Sequence, residues 1–220
     1  MRRLAALAVL CALGGCGRLP GKPAAGAEVP RPDSILDPVA LYGANCAGCH
    51  GAEGTHGPAI PLADPVYLAI ADDNVLRSAI ASGRPGTAMS PFSEKEGGIL
   101  TDEQIDSIVH GIRERWGSTG QMSGVTLPPY AATSPGDAEQ GEATYATFCA
   151  SCHRSRSVTD PSYLSLISDQ GLRTIVITGR PDFGAPDWRS NLPGQPMTNE
   201  EISDVVAWLS AQRPFLGGVN

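Results

Sequence analysis

Two stretches of this chain each bring two thiols and an imidazole together within five residues: Cys46-Ala47-Gly48-Cys49-His50 and Cys149-Ala150-Ser151-Cys152-His153. With six cysteines and four histidines in 220 residues, chance gives roughly 0.003 copies of that pattern, so two are not coincidence. Two intervening residues let one turn of chain present both sulfurs to the same edge of a flat macrocycle, and the adjacent imidazole is offered to a metal at its centre. The chemistry that needs this order is covalent capture of haem, with the thiols adding to the porphyrin vinyls and the histidine binding iron. Paired cysteines also serve as redox dithiols and as halves of zinc sites. A zinc site would need two more ligands per pair, and the second half has no histidine or cysteine outside its motif. The motifs thus predict two covalently attached haem c groups, one on Cys46, Cys49 and His50 and one on Cys149, Cys152 and His153.

The elements that must position these groups come in duplicate. Residues 64–85 align without gaps onto 160–181 with ten identities in 22 positions, among them Asp-Pro, Tyr-Leu, Leu-Arg and Gly-Arg-Pro. A duplication accounts for that. The motifs stand 103 residues apart and this block 96, so the first copy carries an insertion, 51–62, expected as a surface loop. Asp37-Pro38 predicts a helix start ahead of the first motif, and Tyr42 matches Tyr145 ahead of the second. Helices are expected over 74–82 and 170–178, closed by Gly83 and Gly179, although the β-branched run 174–178 weakens the second. Capping boxes at Thr101 and Thr198 open terminal helices reaching Trp116 and Arg213. Ile105, Ile108, Val109 and Ile112, and Ile202, Val205, Val206 and Leu209, give each a buried face. The expected fold is all-α, two tandem helical modules at 34–116 and 137–213, joined by a Pro-rich linker at 117–136 and followed by a tail at 214–220. With only 5% aromatic residues, such small modules gain much of their buried apolar area from the cofactor itself.

The chain opens on Arg2, Arg3 and a short apolar run, a secretory signal too short to span a bilayer. Leu13-Gly14-Gly15-Cys16 resembles a bacterial lipoprotein cleavage box, which predicts a signal at 1–15, a lipid on Cys16 and a flexible tether at 16–33. Cys11, after Leu10, fits poorly. An ordinary signal cut nearby is the alternative. With Cys11 removed and Cys16 lipidated, the remaining four cysteines are all used by haem, which suits an oxidising compartment outside the cytoplasm. The net charge of -7 argues against nucleic acid and fits docking onto a basic redox partner, though plain solubility explains it equally.

Helix, attachment motif, middle helices, Gly/Pro loop and capped terminal helix, in that order twice, resemble the class I c-type cytochromes. The resemblance implies that first and last helices of each module cross around a haem slot. It also implies a methionine as second axial ligand. Met89, in Gly83-Arg84-Pro85-Gly86-Thr87-Ala88-Met89, matches the family's ligand loop better than the local rivals His56 and His110. In the second module the matching residue is Ala185 or Pro186, and neither binds iron. Met197 is the sole methionine there, at the position of Leu100, where an apolar staple would also serve. Met197 is preferred over a borrowed ligand or an open iron.

With both irons six-coordinate, the expected act is one-electron transfer: a dihaem carrier, not an enzyme, passing electrons between periplasmic or membrane-associated redox partners such as a respiratory or oxidase complex, itself held at a membrane by its lipid. An open second iron would instead suit a dihaem peroxidase-like enzyme or a small-gas binder, although no second histidine stands ready as its acid or base. A haem-dependent assembly subunit is a third reading.

Overall fold

The computed structural model describes residues 29–117, 122–154 and 156–214. The signal, Cys16, most of the tether, positions 118–121 of the linker and nearly all of the tail lie outside them. Nine α-helices carry the described fold, with isolated β-bridges but no strand: α1 (Pro38–Asn45), α2 (Ala47–His50), α3 (Pro65–Ile70), α4 (Asp73–Ser82), α5 (Asp102–Trp116), α6 (Ala138–Phe148), α7 (Pro161–Leu164), α8 (Asp169–Thr178) and α9 (Asn199–Ala211). Among the described residues no helix is long and apolar enough to cross a membrane.

Local chemistry sets most of the boundaries. The Asp37 carboxylate accepts from the Val39 amide and Pro38 opens α1, while Asp64 and Asp160 cap α3 and α7 ahead of Pro65 and Pro161. The capping boxes at Thr101 and Thr198 are both closed, each hydroxyl accepting from the third helical amide and that residue's side chain returning to the cap amide. Each such cap contributes about 1 kcal/mol. The β-branched run 174–178 is helical after all, because Ile177 is fully buried and packing outweighs a few tenths of a kcal/mol of propensity.

First and last helices cross in each half, and the contact is made by opposite choices of size. Pro38 of α1 lies on Gly111 of α5, where an added Cβ would stand 2.4 Å from the Pro38 Cβ. At the matching crossing Gly141 of α6 lies under Trp208 of α9, its would-be Cβ 2.1 Å from the Asp204 carbonyl oxygen and 2.6 Å from the Trp208 Cβ. One partner must be small for two helix backbones to approach this closely. Tyr42 meets Trp116 edge-on at 5.1 Å between centroids, and Tyr145 meets Trp208 at 4.6 Å.

A second repeated device joins the terminal helix to the middle of each half. Arg113 donates to the carbonyls of Leu68 (2.5 Å) and Ala71 and to the Asp73 carboxylate (2.7 Å). Arg213 does the same to Leu164 (2.9 Å), Ile167 (2.7 Å) and Asp169 (2.5 Å). The arginines are 100 residues apart although the helices match at 97, so the same cradle is filled from one turn further on. That engagement goes with the end of α9 at Ala211, two residues short of the expected Arg213.

There are two cores, and the boundary between them is not the linker alone. The first contains Leu41, Tyr42, Leu68, Leu76, Leu100, Ile105, Ile108 and Ile112; the second Phe148, Leu164, Leu172, Ile177, Ile202, Val205 and Leu209. Helix α3 faces both, sending Tyr67 and Leu68 into the first and Val66 and Ile70 into the second. The linker also packs: Tyr130 lies on the first core and Met122, Val125 and Leu127 on the second. The 51–62 insertion is a loop as expected, but Gly54, Gly57, Pro61 and Leu62 are buried, because it folds back onto the first motif and onto the second half.

Candidate haem sites

Each attachment motif is one helical turn hung on the end of its leading helix. The Cys46 amide donates to the Tyr42 carbonyl at 2.8 Å and Cys149 to Tyr145 at 2.9 Å; the His50 amide donates to Cys46 at 3.0 Å and His153 to Cys149 at 2.9 Å. Matched tyrosine hydroxyls close the turn, Tyr42 onto the Gly51 carbonyl (2.8 Å) and Tyr145 onto that of His153 (3.3 Å). Cys46 and Cys149 are half-buried, Cys49 and Cys152 exposed, and none of the four is in a disulfide. Burial, followed by the neighbouring cysteine, pushes the Cys46 and Cys149 thiols up to about 11. Before haem is joined to them, both inner thiols therefore stay protonated at neutral pH, which makes them poor partners for disulfide exchange.

His50 is set for ligation by its second nitrogen. Its Nδ1 lies 2.7 Å from the Ile60 carbonyl, which can only accept, so Nδ1 carries the proton and the Nε2 lone pair is left for a metal. Burial lowers the basicity of the ring, the Ile60 bond opposes this, and the Arg180 charge lowers it further. No ring bond of this kind is found for His153 among the described residues. His110 stands in solvent beside Glu114 at 3.7 Å, and His56 is an exposed loop residue; neither is packed in the first core. Among the described residues no three His, Cys, Asp or Glu side chains are grouped to hold a bare metal ion. Two thiols and a tautomer-fixed imidazole on one turn fit a covalently held haem.

The two Gly-Arg-Pro loops start alike and diverge. The Arg84 amide donates to the Met89 carbonyl at 2.8 Å and the Arg180 amide to that of Ala185 at 3.0 Å, which makes Ala185 the counterpart of Met89. Met89 is partly buried against the first core. Met197 is 3% exposed and lies in the second core as Leu100, also 3% exposed, lies in the first. The amides of both donate to the loop aromatic, Leu100 to Phe92 (2.8 Å) and Met197 to Trp188 (2.9 Å). The Met197 sulfur differs from a plain staple in accepting from Asn191 Nδ2 at 3.5 Å. Sequence reasoning passed over Met122, a linker residue that packs against the second core; its only signal was being one of four methionines in the chain.

Residues 33–110 and 136–209 match the family described as cytochrome c oxidase, cbb3-type, subunit III. The chain is 32% identical over 123 residues to the cbb3-type cytochrome c oxidase subunit CcoP of Azospirillum sp. (strain B510), an alignment covering 51% of this chain and 36% of that protein. It is 29% identical over 136 residues to the subunit FixPc of Rhizobium leguminosarum bv. viciae, covering 55% and 42%. The chain thus spans about two fifths of the length of these relatives. With the family matched over most of its length, and with the leading, middle and terminal helices in the same order in both halves, this chain belongs to the cbb3-type subunit III family and is a dihaem c-type cytochrome, an electron carrier with two covalently attached haem c groups.

Proposed function

We propose that the chain relays single electrons to or within a membrane respiratory oxidase, without catalysing oxygen chemistry itself. The observation that carries this reading is the doubled attachment turn, with matched amide bonds, matched tyrosine clamps and one half-buried and one exposed thiol in each copy. In this reading Cys46, Cys49 and His50 hold one haem and Cys149, Cys152 and His153 the other, with the modules at 34–116 and 137–213. Haem held in this way supplies a one-electron ferric/ferrous couple. The protein's part is to hold its own groups still. Tyr42 and Tyr145 fix the turn, Ile60 fixes the His50 tautomer, and the second core encloses Met197. Met89 would complete the ligand set of the first iron and Met197 that of the second. Partner identity follows the names of the relatives, which are oxidase subunits.

The 1–15 signal and lipidated Cys16 would place the chain on the outer face of a membrane. A tether there raises the effective concentration of the carrier at a membrane complex. Mass spectrometry of the processed chain tests the anchor: an N-terminal acylated Cys16 supports it, an unmodified terminus removes it. For the relay, stopped-flow reduction of the dihaem chain followed by mixing with a purified cbb3-type oxidase supports the proposal if both haems reoxidise. Reoxidation by dioxygen or peroxide alone, with turnover, would replace it with the enzyme reading.

A further inference from the structure

The loop that carries Met89 in the first half carries something else in the second. Where the first half has Gly86 and Thr87, the second has Asp182 and Phe183 on a short 3-10 turn, Pro181–Phe183, and this turn is docked on the first half. Arg180 donates through Nε and Nη2 to the Asp182 carboxylate (3.0 and 2.9 Å), and its Nη2 also donates to the Gly57 carbonyl at 2.8 Å. The Asp182 side chain is only 3% exposed, and it accepts from the His56 amide at 2.9 Å. His56 has φ 62°, the one described non-glycine residue in the left-handed region, a conformation that persists only when its surroundings hold it. The His56 ring meets Phe183 edge-on at 6.1 Å, with the Arg180 guanidinium 4.6 Å from the Phe183 centroid.

What Arg180 and Asp182 grip is the underside of the first attachment turn. Gly57 is pressed against it so closely that a Cβ there would fall 2.2 Å from the Cys49 carbonyl oxygen and 2.7 Å from the His50 carbonyl carbon. Two residues on, the Ala59 amide donates to the Cys49 carbonyl at 3.0 Å, and Ile60 receives the His50 imidazole. The 51–62 loop, in a connection seven residues longer than its counterpart in the second copy, is therefore a strut between the ligand-loop counterpart of one half and the proximal turn of the other.

We propose that Arg180 and Asp182 are positioning residues for the haem of the first half, bracing the turn of Cys49 and His50 through Gly57 and His56 and setting that haem's reduction potential by their opposite charges. The inference rests on the reading that His50 ligates iron. The two charges act in opposite senses on a ferric centre, which is one unit more positive than the ferrous one. A nearby cation favours the reduced state and a nearby anion the oxidised state.

The test is a redox titration of the full chain with both haems attached, the first haem being assigned as the wave that Met89→Ala displaces. Arg180→Gln lowers that wave and Asp182→Asn raises it, each changing the reduced-to-oxidised ratio at fixed potential at least threefold, about 28 mV at about 59 mV per decade. The double variant returns to within half of either shift, and Arg180→Lys, which keeps the charge, stays closer to wild type than Arg180→Gln. Shifts of the same sign in both single variants, or no shift, overturn the proposal, because loss of packing alone does not reverse sign with charge. If Arg180→Gln fails to fold, the Arg180→Lys and Asp182→Asn pair decides: Asp182→Asn must raise the wave while Arg180→Lys leaves it near wild type. Intact mass separates the two levels of failure. Wild type lacking one haem on the first motif sinks the ligation reading, whereas two haems per chain with an unmoved first wave sinks only this inference.

Discussion

The two halves are copies whose leading, middle and terminal helices match, yet matching residues have been put to different work. Arg77 in the first half lies on the surface, paired with Asp102 (3.2 Å) and Asp106 (3.3 Å). Its counterpart Arg173 is 2% exposed. There the acids have become Asn199 and Ser203, and the guanidinium instead binds the linker carbonyls of Pro129 and Tyr130 along with those two side chains. Burial lowers its pKa. Exchanging two carboxylates for neutral acceptors turned an exposed ion pair, worth at most about 1 kcal/mol, into an anchor for the segment between the halves. The ligand loops show the same divergence: Met89 was kept in one, while Ala185, Asp182 and Phe183 made the other a docking surface.

The largest effect that would break this comparison is loss of haem from one half alone. Cys46→Ser with Cys49→Ser is expected to halve the pyridine haemochrome content, from two haems per chain to one, and the Cys149→Ser and Cys152→Ser pair should do the same independently. If either pair abolished both haems, the halves would not mature separately.

The ligand assignments come next. Met89→Ala should remove the methionine-sulfur absorption band of the first haem and lower its potential. At Met197 the buried setting calls for two variants: Met197→Ala is expected to cost about 2–5 kcal/mol of stability from the cavity, whereas Met197→Leu keeps the volume and should cost under about 1.5 kcal/mol. Loss of the second haem's sulfur band in Met197→Leu marks a ligand. An unchanged band assigns Met197 to packing, and Met122→Leu then becomes the decisive spectrum.

The helix crossings should separate the halves by a smaller margin. Gly141→Ala forces a methyl against the Asp204 backbone and is expected to destabilise by about 1–3 kcal/mol. Gly111→Ala meets only the Pro38 ring and should cost less, as chemical denaturation of the two variants would show. The smallest effect is a pH dependence at the docked turn. The Arg180 bond holds the Asp182 carboxyl below its ordinary value, against the opposing effect of desolvation. The unfolded chain thus binds its proton first as pH falls. The stabilisation is complete above about pH 4 and is lost as pH drops through the depressed value. Asp182→Asn should remove that part of the acid dependence, seen as a flatter stability profile below about pH 4.

Features made within a few residues are legible in the sequence itself. The attachment turns, the capping boxes, the aspartate-proline starts and the apolar faces of the terminal helices need no distant partner, so residue type and spacing are enough to identify them. The docking of 51–62 is not legible there, since nothing in Gly-Thr-His-Gly says that its amide and carbonyl face Asp182 and Arg180 some 126 and 123 positions away. Nor is the double duty of α3, whose Val66 and Tyr67 are neighbours in sequence but enter different cores.

Composition and spacing alone determined that this is a twice-repeated helical chain built to carry haem on two turns, because thiol, thiol and imidazole must be adjacent for that chemistry and local hydrogen bonds shape the turn. Only the tertiary structure decided that Ala185 rather than Pro186 answers to Met89, that the Met197 sulfur lies against Asn191 in the second core, and that an arginine–aspartate pair from one half grips the proximal turn of the other. Those assignments depend on which backbones approach in space, and burial makes that choice by summing contacts from segments that are remote along the chain.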